Sequence, residues 1–102
     1  MQYYTAIRNR NGGLSSIGVS SSLKTAIGTL RRKMPNADEE GFIFRSRPGS
    51  RMNDKEIERI AIGRMYLEEA EMNGRFYMCC MYEHYKTGDF YYVYSNGKTE
   101  KM

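Results

Sequence analysis

The chain has 102 residues, 40% hydrophobic and 27% charged, with a formal net charge of +4. That composition suits a single globular domain over 1–102 with one core and excludes a disordered chain. No window approaches the roughly 18 apolar residues of a membrane helix, and the opening Met-Gln-Tyr-Tyr lacks the basic stretch and apolar run of a signal peptide, so a cytoplasmic protein with no membrane partner is expected.

Tyr3 to Arg8 predicts a strand, with Tyr3, Thr5 and Ile7 on one side and Tyr4, Ala6 and Arg8 on the other. Asn11-Gly12-Gly13 supplies the positive-φ residues of a tight reversal, and Ser16 to Ser20 alternates again, which makes a hairpin. A helix over about 22–34 follows. Ser21 or Ser22 caps it, and Leu23, Ala26, Ile27, Leu30 and Met34 form its apolar stripe. Arg31, Arg32 and Lys33 occupy the last turn, where cations favour the negative helix end, and Pro35 stops it. Pro35 to Glu40 reads as an acidic loop and Gly41-Phe42-Ile43-Phe44 as a short buried strand.

The next loop, Arg45-Ser46-Arg47-Pro48-Gly49-Ser50-Arg51, places three arginines around a Pro-Gly turn that has no geometric need of them. Asn53 with Glu56 resembles a capping box, so a second short helix starts from about 54. Two continuations fit residues 60–72. One is helix to Met72; the other is helix to about Ile60 and then a strand, which the hairpin turn Asn73-Gly74 favours. Arg75 to Tyr85 and Phe90 to Ser95 are strands, set with Tyr85 opposite Phe90, Glu83 opposite Tyr92 and Met81 opposite Tyr94. Phe76, Met78, Cys80, Tyr82, His84, Tyr91 and Val93 form the better core face. Tyr77, Cys79, Met81, Glu83, Tyr85, Phe90, Tyr92 and Tyr94 form the wetter one. Lys98 to Met102 is expected to be a frayed tail. The fold class is α+β: a mostly antiparallel sheet of four to six strands with one amphipathic helix packed on it.

Catalytic hardware is sparse. One histidine and two adjacent cysteines cannot supply a four-ligand zinc site, so no metal and no cofactor is expected. Cys79 and Cys80 read as reduced, buried thiols, because neighbours in a strand point to opposite faces. Glu68-Glu69-Glu71 and Asp38-Glu39-Glu40 read as solvated runs, His84 as a strand-end residue, and no residue is assigned a catalytic role.

Charge carries the functional signal. The first 37 residues hold six Lys or Arg and no carboxylate, while the other 65 hold ten basic and twelve acidic side chains. Arg8, Arg10, Arg31, Arg32, Lys33, Arg45, Arg47 and Arg51, if they meet, form a phosphate-binding patch, with Tyr77, Tyr85, Tyr92 and Tyr94 as stacking or contact residues. The expected function is a non-enzymatic binding module for nucleic acid or a nucleoprotein complex. The alternative is an inhibitor or adaptor that docks the same arginines and tyrosines on an acidic protein surface. A third reading places a nucleotide or phosphorylated ligand at Ser20, Ser21 and Ser22, although a plain helix cap explains the same serines.

Gly74-Arg75-Phe76-Tyr77 through Asp89-Phe90-Tyr91-Tyr92-Val93-Tyr94 resembles the small sheets by which phage-type integrases grip DNA arms. In general character the chain also resembles small accessory proteins of phages and mobile elements, among them anti-CRISPR inhibitors of host defence. Both resemblances imply a binding role.

Overall fold

Strand β1 (Tyr3–Arg8) lies inside the sheet, because β2 (Leu14–Ser20) pairs with one side of it and β3 (Glu40–Phe44) with the other. Between β2 and β3 the chain crosses β1 as helix α1 (Leu23–Lys33). A short helix, α2 (Asp54–Ile60), then leads into β4 (Ala61–Met72), β5 (Arg75–His84), β6 (Asp89–Val93) and β7 (Thr99–Lys101). The computed structural model describes residues 2–34 and 39–102. Among them the strands form one open sheet in the order β2-β1-β3-β4-β5-β6-β7, every neighbouring pair antiparallel. The architecture is α+β, as the composition and periodicity predict.

Local chemistry explains each helix. Ser22 Oγ accepts the Thr25 N–H at 3.1 Å, and the stripe Ala26, Ile27, Leu30 and Met34 is buried against Ile43, Met65 and Tyr82. Truncating a fully buried leucine such as Leu30 to alanine typically costs about 2–5 kcal/mol, so this stripe is a principal anchor. Pro35, expected to end the helix, and residues 36–38 of the expected acidic loop lie outside the described residues. On the opposite face Asn53 Oδ1 accepts the Glu56 N–H at 2.9 Å and caps α2. Seven residues are too few for a helix to persist by propensity alone. Ile57, buried among Ala6, Leu14, Phe42 and Phe44, holds it in place.

Two glycines let the α1 layer close on the sheet. A Cβ at Gly41 would lie 2.6 Å from Leu30 Cδ1 and Met34 Sδ, both on α1. At Gly63 it would overlap the phenol of Tyr82, which lies across β4 at that point. The strand alternative for residues 61–72 is the observed one, and Asn73 (φ 54°) with Gly74 (φ 77°) makes the hairpin turn.

Three expectations need correction. The sheet has seven strands rather than four to six. The seventh is the segment expected to fray: Thr99–Lys101 pairs with β6, Tyr91 opposite Lys101. Its side chains are exposed and carry no alternating apolar signal; its backbone pairing, the Lys101–Asp89 ion pair (3.4 Å) and the hydrogen bond from the Tyr94 hydroxyl to Glu100 hold it in the sheet. The β5–β6 register is also displaced by two residues, with Glu83 opposite Phe90 and Met81 opposite Tyr92. Gly88, at φ 73°, donates its N–H to His84 O at 2.8 Å and closes the turn over Tyr85–Gly88, which takes Tyr85 out of the pairing with β6 while its N–H still donates to Ile62 O on β4 at 2.9 Å. A shift of two keeps every side chain on its expected face.

Gly63→Ala is predicted to lower unfolding free energy by about 1–3 kcal/mol, the usual cost of overpacking a dense core. Urea denaturation checks this; an unchanged midpoint would show that Tyr82 moves aside freely.

Candidate phosphate-binding groove and the open aromatic face

The predicted basic residues do not meet in one patch. Arg8 points to the α2 side, where it pairs with Glu40 (3.3 Å) and Asp54 (2.5 Å) and lies over the Phe42 ring (5.3 Å to the centroid). Arg64 completes the network through Glu40 at 2.5 Å. These side chains line a groove of about 500 Å³ with Ile57, Glu58, Glu83 and Tyr85, where two arginines face four carboxylates. Burial raises the Tyr85 phenol above its ordinary value, and Glu83, Glu58 and Glu40 add to this against the pull of Arg64. Arg8 is thus neutralised in place.

At the far end of β1 the arginine loop divides. The Arg45 guanidinium lies 4.4 Å from the Tyr3 ring centroid and that of Arg47 lies 5.4 Å from Tyr4. Tyr3 and Tyr4 belong to opposite faces of the sheet, so the two cations are separated by it. Ser50 O accepts the Leu14 N–H at 3.1 Å and ties the loop to β2 near the turn that bears Arg10. Arg10 and Arg51 are exposed.

A true convergence of cations lies on the α1 side. Lys24, Gly28 and Arg32 recur at helical spacing along α1 and face the β6–β7 turn, whose Asn96, Gly97 and Lys98 form the other wall of a groove of about 520 Å³. Lys24, Arg32 and Lys98 line it with Thr25, and among the described residues no carboxylate lines it. Gly97 permits this closeness: a Cβ there would stand 3.2 Å from the Gly28 Cα. Two members, Lys24 and Lys98, escape the sequence reading. Lys24 lies in the first turn of α1, away from the basic cluster at its end, and Lys98 in the segment expected to fray. Arg31 departs in another direction, toward Cys80, Tyr92 and Tyr94, and Lys33 is exposed at the helix end.

Below the basic groove, and sharing Lys24 with it, is an apolar recess of about 360 Å³. Buried Tyr82 and Ile27 line it with half-buried Leu23, Tyr91 and His84 and exposed Thr99. The Tyr82 hydroxyl and His84 Nδ1 are hydrogen-bonded at 2.9 Å. Burial lowers the His84 pKa, Lys86 lowers it further, and Asp89 opposes them.

The predicted tyrosines lie elsewhere. On the α2 side no helix of the described residues covers β5 and β6, and Tyr77, Phe90, Tyr92 and Tyr94 are 38–49% exposed there. Tyr85 belongs to the charged groove. The outer halves of β4 and β5, Glu68–Met72 and Arg75–Cys79, pair only with each other and project as a two-stranded arm bearing exposed Met72, Phe76 and Met78. The serine run is engaged by the fold, with Ser22 capping α1 and Ser20 buried in β2. Cys79 is half-buried, while burial pushes the Cys80 thiol up to about 11 despite Arg31, which keeps it protonated at neutral pH. Among the described residues no group of three or more His, Cys, Asp or Glu is arranged to hold a metal, and no helix is long and apolar enough to cross a membrane.

No protein-family model matches the chain, and neither a curated protein nor a solved structure matches it.

His84, the single histidine, is predicted to titrate below its ordinary value of 6.5 in an NMR titration of the folded chain. The unfolded chain then binds a proton first as pH falls, so stability present at neutral pH declines from about pH 6.5 downward and levels off below the folded-state value. His84→Gln should flatten that part of the urea midpoint-versus-pH curve; a wild-type curve with no slope there would contradict the burial of the ring.

Proposed function

We propose that the protein is a non-enzymatic binding module that engages the phosphates of a nucleic acid, free or within a nucleoprotein complex, through the groove between α1 and the β6–β7 turn. The observation that carries this reading is the convergence of Lys24, Arg32 and Lys98, with no carboxylate among the described residues of the lining. Eight residues of α-helix rise roughly 12 Å, so Lys24 and Arg32 address separate phosphates, and Lys98 contacts the strand from the opposite wall. Thr25 and Asn96 add neutral donors that orient phosphate oxygens. Cations in such a groove bind by releasing counterions, which makes affinity fall steeply with salt.

Fluorescence anisotropy with a labelled mixed-sequence oligonucleotide across a salt series tests it. Three phosphate contacts predict a slope of log K against log salt of about −2 to −3. Lys24→Glu with Arg32→Glu should weaken binding at least tenfold, whereas Arg47→Glu, separated from the groove, should change it much less. Absence of binding even at low salt would overturn the proposal.

The second reading, docking on a protein partner in the manner of an inhibitor or adaptor, is favoured by the open aromatic face. Continuous exposed apolar area on a small domain is the usual sign of a protein contact. This face holds Glu68, Glu83 and Glu100 beside Arg64 and Arg75, so its charge is unlike that of the α1 groove and does not attract phosphates. Tyr92→Glu should therefore leave oligonucleotide affinity unchanged while abolishing any protein complex that forms; a complex that survives it would dismiss the aromatic face.

A further inference from the structure

We propose that the apolar recess below the basic groove receives a nucleobase, so that the ligand is a single strand with at least one base turned out of the stack, not a duplex. This rests on the phosphate reading of the basic half. The two cavities both lie between α1 and the β6–β7 edge and share Lys24 in their linings, and their chemistry differs sharply. Cations, an amide and a hydroxyl line one end. Tyr82, Tyr91, His84, Ile27 and Leu23 line the other.

A ligand that satisfies both ends is an amphiphile with a flat apolar body attached to an anion, which describes a nucleotide unit. The recess, about 360 Å³, falls at the small end of the range typical of small-molecule sites. Its aromatic members offer ring surface to a base, the device by which single strands are held without sequence preference. Hydrogen bonding within the recess adds a directional element. In the neutral tautomer that leaves Nδ1 unprotonated, the Tyr82 O–H donates to it across 2.9 Å. The imidazole proton then sits on Nε2, which leaves His84 a donor for a carbonyl oxygen or ring nitrogen of a base. Paired and stacked bases cannot enter such a recess, because only unpaired bases can be splayed from their neighbours.

The test compares three labelled probes of equal length by anisotropy at one moderate salt concentration: a single-stranded oligothymidylate, a duplex, and an abasic strand with the same phosphodiester backbone. The single strand should bind about tenfold or more tighter than the abasic strand, as expected for one stacked base, and tighter than the duplex. Tyr91→Ala should bring single-strand affinity down to the abasic level while leaving abasic affinity unchanged. Thr99→Trp, at an exposed edge position, fills the recess with little risk to folding and should do the same. Equal binding of base-bearing and abasic strands, or preferred binding of the duplex, would overturn the base recess while leaving the phosphate reading intact. Failure of all three probes to bind would remove both. A mixture of mononucleotides that competes as well as the strand does, phosphate for phosphate, would replace the strand by a free nucleotide and overturn the proposal in that form.

Discussion

Two missing side chains set the depth of the α1 layer. Gly63 leaves room for the Tyr82 ring to lie flat across β4, and Gly41 lets Leu30 and Met34 of α1 descend onto β3. Tyr82 in that position reaches His84 and forms the floor of the recess, and its ring approaches Tyr91 with centroids 6.3 Å apart. The groove above follows from the same packing. With α1 seated low, the β6–β7 turn passes it at the level of Gly28, and the cations of helix and turn come to face one another. A helix held higher by a methyl group on β3 would part those walls. The site therefore depends on side chains that are absent as much as on those that line it.

How much of this could be read in advance depended on the range of the interaction. Elements fixed by neighbours in sequence were legible: the α1 stripe with its Ser22 cap, the Asn53 cap, the turn at Asn73-Gly74 and the face assignment of β5 and β6. What depends on distant pairing was not. The tail strand β7 carries no pattern of its own and forms because β6 offers it a backbone edge. The convergence of Lys24 with Lys98 joins residues from opposite ends of the chain, and no spacing rule connects them. Arg8 looked free in a segment without acids, yet the fold brings Glu40 from β3 and Asp54 from α2 to its guanidinium. Charge asymmetry along the sequence was real, but it predicted which residues are basic rather than where they gather.

The sheet separates two chemistries that the composition mixes. Its α1 side carries cations around an apolar recess, and its α2 side carries exposed rings, carboxylates and an internally neutralised arginine network. Tyrosines and arginines that looked like one patch are thus divided by a layer of backbone. On the reading we propose, an anionic strand is held on one side while the other remains available to a different surface. That arrangement suits a nucleoprotein setting better than a uniform basic coat would, since each contact can be gained or lost independently.

The strand order has a consequence for how the molecule assembles. β2, β1 and β3 with α1 complete their pairings by Phe44, before any of the later strands is needed. From β4 onward each strand adds to the edge left by the previous one, in sequence order and always in the same direction across the sheet. A chain emerging from the ribosome can therefore dock each new strand on a surface already made, and the long connections are the two that carry α1 and α2. The groove is among the last features to appear, because Lys98 follows β1 to β6 in the chain and only β7 comes after it.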